Sequence, residues 1–240
     1  MLSVLILAGG FGKRIKGVWD SPKGLIPYQD KTILGKLLDE IVQDEVGKQI
    51  VMVSNAVHFP LYKKYLEENK WDVRLINNGA VEGFAKGAIP DMLTGLNETP
   101  AGDVMILPCD TVTRGTFKMK DFAQFGENHS DGLTVVVREE KPELIAGNFG
   151  NVLLDDERIV KFEEKPVVPF SNLASAAMYY YPEKTVPWVK AYAEEGENLD
   201  NPGRVIPWAL ATKRTVYGFK VKTGLIDVGR PESFYEIQND

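Results

Sequence analysis

A chain of 240 residues with 44% hydrophobic and 26% charged residues can build a substantial core, which excludes disordered and collagen-like classes. The formal charge is −6 and no long basic block occurs, which argues against a nucleic-acid binder. A single cysteine, Cys109, leaves no intramolecular disulfide and no cysteine-rich zinc site. The opening apolar run MLSVLILAGG is too short to cross a bilayer and has no cationic segment before it. Neither a membrane partner nor a signal peptide is therefore expected, and the cytoplasm is the default location.

In chain order, SVLILAGG (3–10) is a continuous apolar run, as in a strand covered on both faces. TILGKLLDEIVQDE places Ile33, Leu37, Leu38 and Ile41 at helical spacing. QIVMVSN predicts a strand, FPLYKKYLEENK a helix with Pro60 in its first turn, and DVRLINN a strand. GFAKGAIPDMLTGL (83–96) predicts a helix and DVMILPCD a buried strand. Strand and helix alternating at these lengths imply right-handed crossovers and a parallel sheet. After residue 130 come strands with short connections: GLTVVVREE, NFGNVLLDD, RIVKFEEKP and LASAAMYYYP. Helices near 185–195 and 203–213 follow, then TVYGFKVKTGLIDVG and a closing helix from Pro231. No Pro/Ser-rich linker divides the chain. The expectation is a single α/β, Rossmann-like domain over 1–240, with a mainly parallel sheet and a mixed, antiparallel extension. Its two halves are expected at 1–130 and 131–240.

The loop after the first strand concentrates Gly9, Gly10, Gly12, Lys13, Arg14 and Lys23. In open α/β sheets ligands sit outside the carboxyl ends of the strands, and a glycine loop there lets backbone N–H groups approach phosphate oxygens. The spacing fits neither the G-x-G-x-x-G dinucleotide pattern nor the Walker A loop. Without further context, a structural turn with two solvated cations explains it equally well. Asp110 ends a buried strand, where a carboxylate faces the cleft or caps a turn. His58 and His129 lack a ligand pattern and read as surface residues. Cys109 and at least one ring of Tyr179–Tyr181 read as core.

LAGGFGKR…SPKGLIPYQDKTIL resembles the opening of the sugar-1-phosphate nucleotidylyltransferases, with its Gly-Gly-x-Gly-x-Arg loop and Pro-Lys-x-x-x-Pro segment. The resemblance implies a nucleotide pocket shaped by Leu7, Ala8, Gly9, Gly10 and Gly12, with Arg14 and Lys23 on the departing pyrophosphate. It implies Mg²⁺ at Asp110, although Cys109-Asp110 replaces the family's Gly-Asp, and at Asp227 in GLIDVGRPESFYEIQ. Glu164-Lys165-Pro166 corresponds to the family's Glu-Lys-Pro, which gives Lys165 the sugar phosphate and Glu164 the sugar hydroxyls. Gly150 and Asn172 join that acceptor site. In NNGAVEGFAKGAI, Gly83, Ala85 and Gly87 match the family's base segment, and Asn78 stands where thymidylyl- and uridylyl-transferring members have glutamine. An amide there offers a donor and an acceptor to a pyrimidine edge.

The activity implied is condensation of a nucleoside triphosphate with a sugar 1-phosphate, releasing pyrophosphate. The resemblance makes 1–130 the nucleotide-binding half and 131–240 the sugar-phosphate-binding half, and implies the short form without the β-helix of longer members. A homo-oligomer is compatible with this reading. Alternatives are a cytidylyltransferase acting on phosphocholine or a polyol phosphate, a molybdopterin guanylyltransferase, and a non-catalytic subunit that binds nucleotide sugars.

Overall fold

The computed structural model describes every residue except 116, 197, 223 and 240. Strand β1 (Leu2–Ala8) leads through the glycine loop to a small hairpin, β2 (Pro27–Tyr28) and β3 (Lys31–Thr32), and then α1 (Ile33–Gln43). Next come β4 (Gln49–Ser54), α2 (Phe59–Glu68), β5 (Arg74–Asn77), α3 (Ala88–Leu96), β6 (Asp103–Pro108), β7 (Thr111–Thr113) and α4 (Met119–Asn128). The remainder is β8 (Leu133–Glu139), α5 (Pro142–Ile145), β9 (Gly150–Asp155), β10 (Arg158–Glu164) and β11 (Leu173–Tyr181). It closes with α6 (Pro187–Glu195), α7 (Val205–Ala211), β12 (Val216–Val221), β13 (Leu225–Asp227) and α8 (Pro231–Gln238).

Nine strands make one sheet in the order β5-β4-β1-β6-β11-β8-β12-β10-β9. β5, β4, β1 and β6 run parallel, as the alternating first half requires. β11 enters antiparallel between β6 and β8, and β9 and β10 continue as an antiparallel pair. The mixed extension expected from the second half is therefore present. It is a continuation of the same sheet.

Side-chain alternation along each strand divides the core in two. Val4, Ile6, Met105, Leu107 and Tyr180 pack with Leu34, Leu38 and Ile41 of α1 and Phe122 of α4. Leu5, Val104, Ile106, Tyr179 and Tyr181 pack on the opposite face with Ile89 of α3, Val189 of α6 and Ile206 of α7. Each such side chain, fully buried, contributes about 1.5–3 kcal/mol. Helix α1 begins where Thr32 Oγ1 accepts the Gly35 N–H at 3.0 Å, so its apolar stripe enters the core in register. All three tyrosines of the run 179–181 are buried. His58 and His129, expected at the surface, are half-buried against Phe11 and Phe125.

Two elements differ from the sequence reading. The helix expected from Gly83 starts at Ala88, because Gly87 holds a φ of 94° that a helix cannot contain. Helix α4 lies in a stretch with no predicted element; its Met119, Phe122, Ala123 and Gly126 face the core.

The chain runs outward from β1 through β4 to β5, then returns to lay β6 on the other side of β1. The crevice outside the carboxyl ends of β1 and β6 is thus the switch point of the sheet, where ligands collect in this architecture. Among the described residues no helix is long and apolar enough to cross a membrane.

Candidate active site

Immediately after β1, Gly9 to Gly12 bend over the crevice. Gly12 adopts a left-handed φ of 65° and its carbonyl accepts the Ile15 N–H at 3.0 Å, closing a short turn that carries Arg14. Asn55, at the end of β4, donates through Nδ2 to the carbonyls of Gly9 and Gly10 at 3.2 and 3.4 Å. Its Oδ1 accepts the His58 N–H at 2.8 Å, which fixes the amide. The N–H groups of Gly10, Phe11 and Gly12 bond to none of the described residues. Together with Leu7, Ala8, Arg14, Lys23 and Asp110 this loop walls a cavity of about 470 Å³. A ready set of donors at a sheet's switch point suits a polyphosphate.

The two aspartates meet. Asp110 follows β6, and Asp227 ends β13, paired opposite Thr111 of β7. The Val228 N–H donates to the Asp110 carbonyl at 2.9 Å, which stitches the two strand ends together. Lys23 Nζ reaches Asp110 Oδ2 at 2.6 Å, with both side chains largely buried. Burial disfavours charge on Lys23, but Asp110 and Asp227 outweigh it and hold the ammonium above its ordinary pKa. Burial and then the neighbouring Asp110 push the Asp227 carboxyl up, against Lys23, Arg14 and Arg138. No described residue donates a hydrogen bond to the Asp227 carboxylate.

A half-buried carboxylate without a donor, beside a second carboxylate, is a place that suits a cation. No cluster of three or more His, Cys, Asp or Glu gathers there among the described residues. The pair suits Mg²⁺, a hard ion that takes one or two protein carboxylates and completes its shell with water and phosphate.

A second cavity of about 160 Å³ opens on the other side of the pair, lined by Arg14, Asp110, Asp227, Gly150, Glu164 and Lys165. Lys165 leaves β10 at a φ of 52° and its N–H donates to the Phe149 carbonyl at 3.2 Å. Its Nζ donates to Asn201 Oδ1 at 3.2 Å. Burial raises the Glu164 pKa, opposed by Lys165 and Arg204. A Cβ on Gly150 would stand 2.3 Å from the Phe162 ring, so only glycine leaves room there. Asn172 does not join this wall: it is exposed, and its carbonyl accepts the Glu140 N–H at 2.9 Å. Sequence reading passed over Arg138, Ser175, Tyr179 and Asn201, which do line the cavity. Arg138 left a signal as the first charge ending the apolar run of β8; Asn201 sits in a loop and left none.

The base end departs from expectation. Asn78 is buried off the cavity wall, its Nδ2 donating to Asp91 Oδ1 at 2.6 Å and its Oδ1 accepting the Ala80 N–H at 2.7 Å. Gly83 is exposed in the loop before α3, also outside the wall, whereas Ala85, Lys86, Gly87 and Asp91 line it. Burial raises the Asp91 pKa, opposed by the Asn78 hydrogen bond and Lys86.

Comparison with known proteins bears on the family and the fold. The family model described as Nucleotidyl transferase matches residues 3–240. The chain is 23% identical over 237 residues to mannose-1-phosphate guanyltransferase beta-B of Xenopus laevis, covering 97% of this chain and 62% of that protein. It is 28% identical over 254 residues to the bifunctional protein GlmU of Methanocaldococcus jannaschii, with 98% and 53% covered. Identity to a glucose-1-phosphate adenylyltransferase of Thermomicrobium roseum is also 28%, with 98% and 58% covered. The chain thus spans between half and two-thirds of the length of these relatives. A crystal structure of UDP-glucose pyrophosphorylase with UDP-glucose overlays at a TM-score of 0.80 and 19% identity, covering 100% of this chain and 98% of the other. A Bacillus anthracis structure described as a glucose-1-phosphate thymidylyltransferase gives 0.80 and 17%, with 100% and 94% covered. These two overlays establish the shared fold. With the family match running over nearly its whole length, the chain belongs to the nucleotidyl transferase family.

Proposed function

We propose that this protein condenses a nucleoside triphosphate with a sugar 1-phosphate, giving a nucleotide sugar and pyrophosphate, with Mg²⁺ as cofactor. The observation that carries the reading is the shared wall: Asp110 and Arg14 line both cavities, and Asp227 stands beside them. A phosphate held in the smaller cavity therefore faces a polyphosphate held in the larger one across a cationic and metal-binding seam. Curated relatives named for mannose 1-phosphate and glucose 1-phosphate support that acceptor class.

The chemistry asked of the protein is positioning and charge neutralisation. Lys165, anchored by Asn201, holds the acceptor phosphate. Donors of the glycine loop seat the triphosphate, and Arg14 and Lys23 offset the charge that grows on pyrophosphate as it leaves. Asp110 and Asp227 would hold Mg²⁺, which neutralises the reacting phosphates when bound. Glu164 accepts hydrogen bonds from sugar hydroxyls. No covalent enzyme intermediate is required.

Pyrophosphate release from a panel of triphosphates and sugar 1-phosphates tests this directly. Asp110→Asn is expected to lower turnover about 100-fold or more while leaving the fold intact. Unchanged turnover at saturating Mg²⁺ would remove Asp110 from the metal site. No release with any donor and acceptor pair, against tight retention of a nucleotide sugar, would favour the binding-subunit alternative.

A further inference from the structure

The wall of the larger cavity carries one buried carboxylate that the transfer chemistry does not use. Asp91 lies in the first turn of α3 and is only 7% exposed. Asn78 clamps its Oδ1 at 2.6 Å, while Lys86 Nζ bonds the Asn78 carbonyl at 2.5 Å and brings a counter-charge to the protein side. No described residue donates to Oδ2. That oxygen lies against the glycine loop, where a Cβ on Gly9 would stand 1.9 Å from it. Asp91 lines the larger cavity alone, whereas Asp110 and Arg14 are shared with the smaller one. It therefore belongs to the part of the nucleotide cavity away from the acceptor, and a carboxylate repels phosphate, so the group meeting it carries N–H or O–H donors.

Among the common bases, guanine alone presents two adjacent donors, N1–H and N2–H₂. Uracil and thymine offer one N–H flanked by carbonyls. Adenine and cytosine set an amino group beside a bare ring nitrogen, acceptor against acceptor. An ionised carboxylate only accepts, and its bonds to N–H groups are stronger than neutral ones. Resting on the nucleotidyl-transfer reading, we propose that Asp91, positioned by Asn78, recognises the N1–H and N2–H₂ edge of guanine and makes GTP the nucleotide donor. This replaces the pyrimidine-reading amide expected at Asn78: the short amide acts through the carboxylate it clamps.

Calorimetric titration of the full chain with GTP, ITP, dGTP and UTP, each with Mg²⁺, tests the assignment. ITP lacks only the 2-amino group. GTP is expected to bind about tenfold or more tighter than ITP and UTP, with dGTP close to GTP. This comparison needs no variant. In Asp91→Asn the clamp from Asn78 orients the new amide so that N–H₂ replaces Oδ2, donor against donor. GTP should then lose the most affinity, ITP, which keeps N1–H but has no 2-amino group, less, and UTP least, with the melting temperature near that of the parent.

Preference for UTP, or equal binding of GTP and ITP, overturns the proposal. Selective loss of dGTP moves Asp91 to the ribose, and an equal loss of all four ligands in Asp91→Asn makes it a helix-stabilising residue only. Binding of a triphosphate other than GTP defeats this inference alone; absence of any triphosphate binding defeats the transfer reading with it.

Discussion

Lys165 shows how much a single position is asked to do. A left-handed φ costs a non-glycine residue about 1–2 kcal/mol, and the Phe149 carbonyl holds the backbone there while Asn201 holds the ammonium. The turn brings the lysine out of β10 and onto the acceptor cavity. Its neighbour Glu164 carries a cost of a different kind. Burial lifts its pKa above the unfolded value, so folding takes up a proton between the two values. Its favourable contribution is complete at acid pH and lost as pH rises through the folded pKa. Glu164→Gln should therefore melt with the parent at low pH and above it at neutral pH, by about 2–4 °C for each kcal/mol relieved. Parallel melting curves across pH would contradict this. The same variant should raise the acceptor KM, because the amide gives up one acceptor site toward sugar hydroxyls. At this scale the family resemblance singled out Arg14, Lys23, Asp110, Lys165 and Asp227, and the fold brings all five to the walls of the two cavities. Asp91 was not singled out: it sits in the first turn of α3 among apolar residues, and only packing against Gly9 and Asn78 gives it a direction.

Elements meet at the site through close approach. Gly150 opens β9 with Phe162 of β10 and Ser175 of β11 so near that a methyl would lie 2.3 and 2.6 Å from them. Gly150→Ala should destabilise by about 1–3 kcal/mol and raise the acceptor KM, since Gly150 itself lines the smaller cavity and its neighbours must shift to admit the methyl. Urea unfolding and steady-state kinetics check the two effects, and an unshifted midpoint would mean that the strands separate freely. The same contact logic explains which elements the sequence revealed. Strands such as β1 and β6, buried on both faces, advertise themselves as unbroken apolar runs. Helix α4 has the right spacing at Met119, Phe122 and Ala123, but Gly126 and several weak helix formers dilute it. Its stability comes from packing: Gly126 lets the helix approach the Tyr180 ring, where a Cβ would come within 2.3 Å. The boundary of α3 escaped for the opposite reason. Residues 83–87 contain apolar residues at plausible spacing, yet a Cβ on Gly87 would come within 2.6 Å of the Leu199 carbonyl, a contact with a distant loop.

Over the whole molecule, two carboxylates far apart in sequence are forced together by the β7–β13 pairing, and folding alone does not favour their joint charge. Because burial and Asp110 hold the Asp227 pKa up, stability falls as pH rises through that folded pKa. Asp227→Asn should accordingly raise the melting temperature at neutral pH in metal-free buffer. Mg²⁺ should raise the melting temperature of the parent, by about 2.7 kcal/mol of stability at a hundredfold excess over Kd, and leave the variant nearly unmoved. Equal Mg²⁺ responses would place the ion elsewhere. The sheet itself sets a further condition on how the two cavities can be closed. Because β11 is hydrogen-bonded to both β6 and β8, the larger and the smaller cavity stand on one sheet, with a register shift of β11 against β8 between Ser175 and Tyr179. Any cover for the proposed reaction centre would thus have to come from the segments projecting above that sheet, the stretch between β5 and α3 among them, since a hinge between strands would break ladder hydrogen bonds.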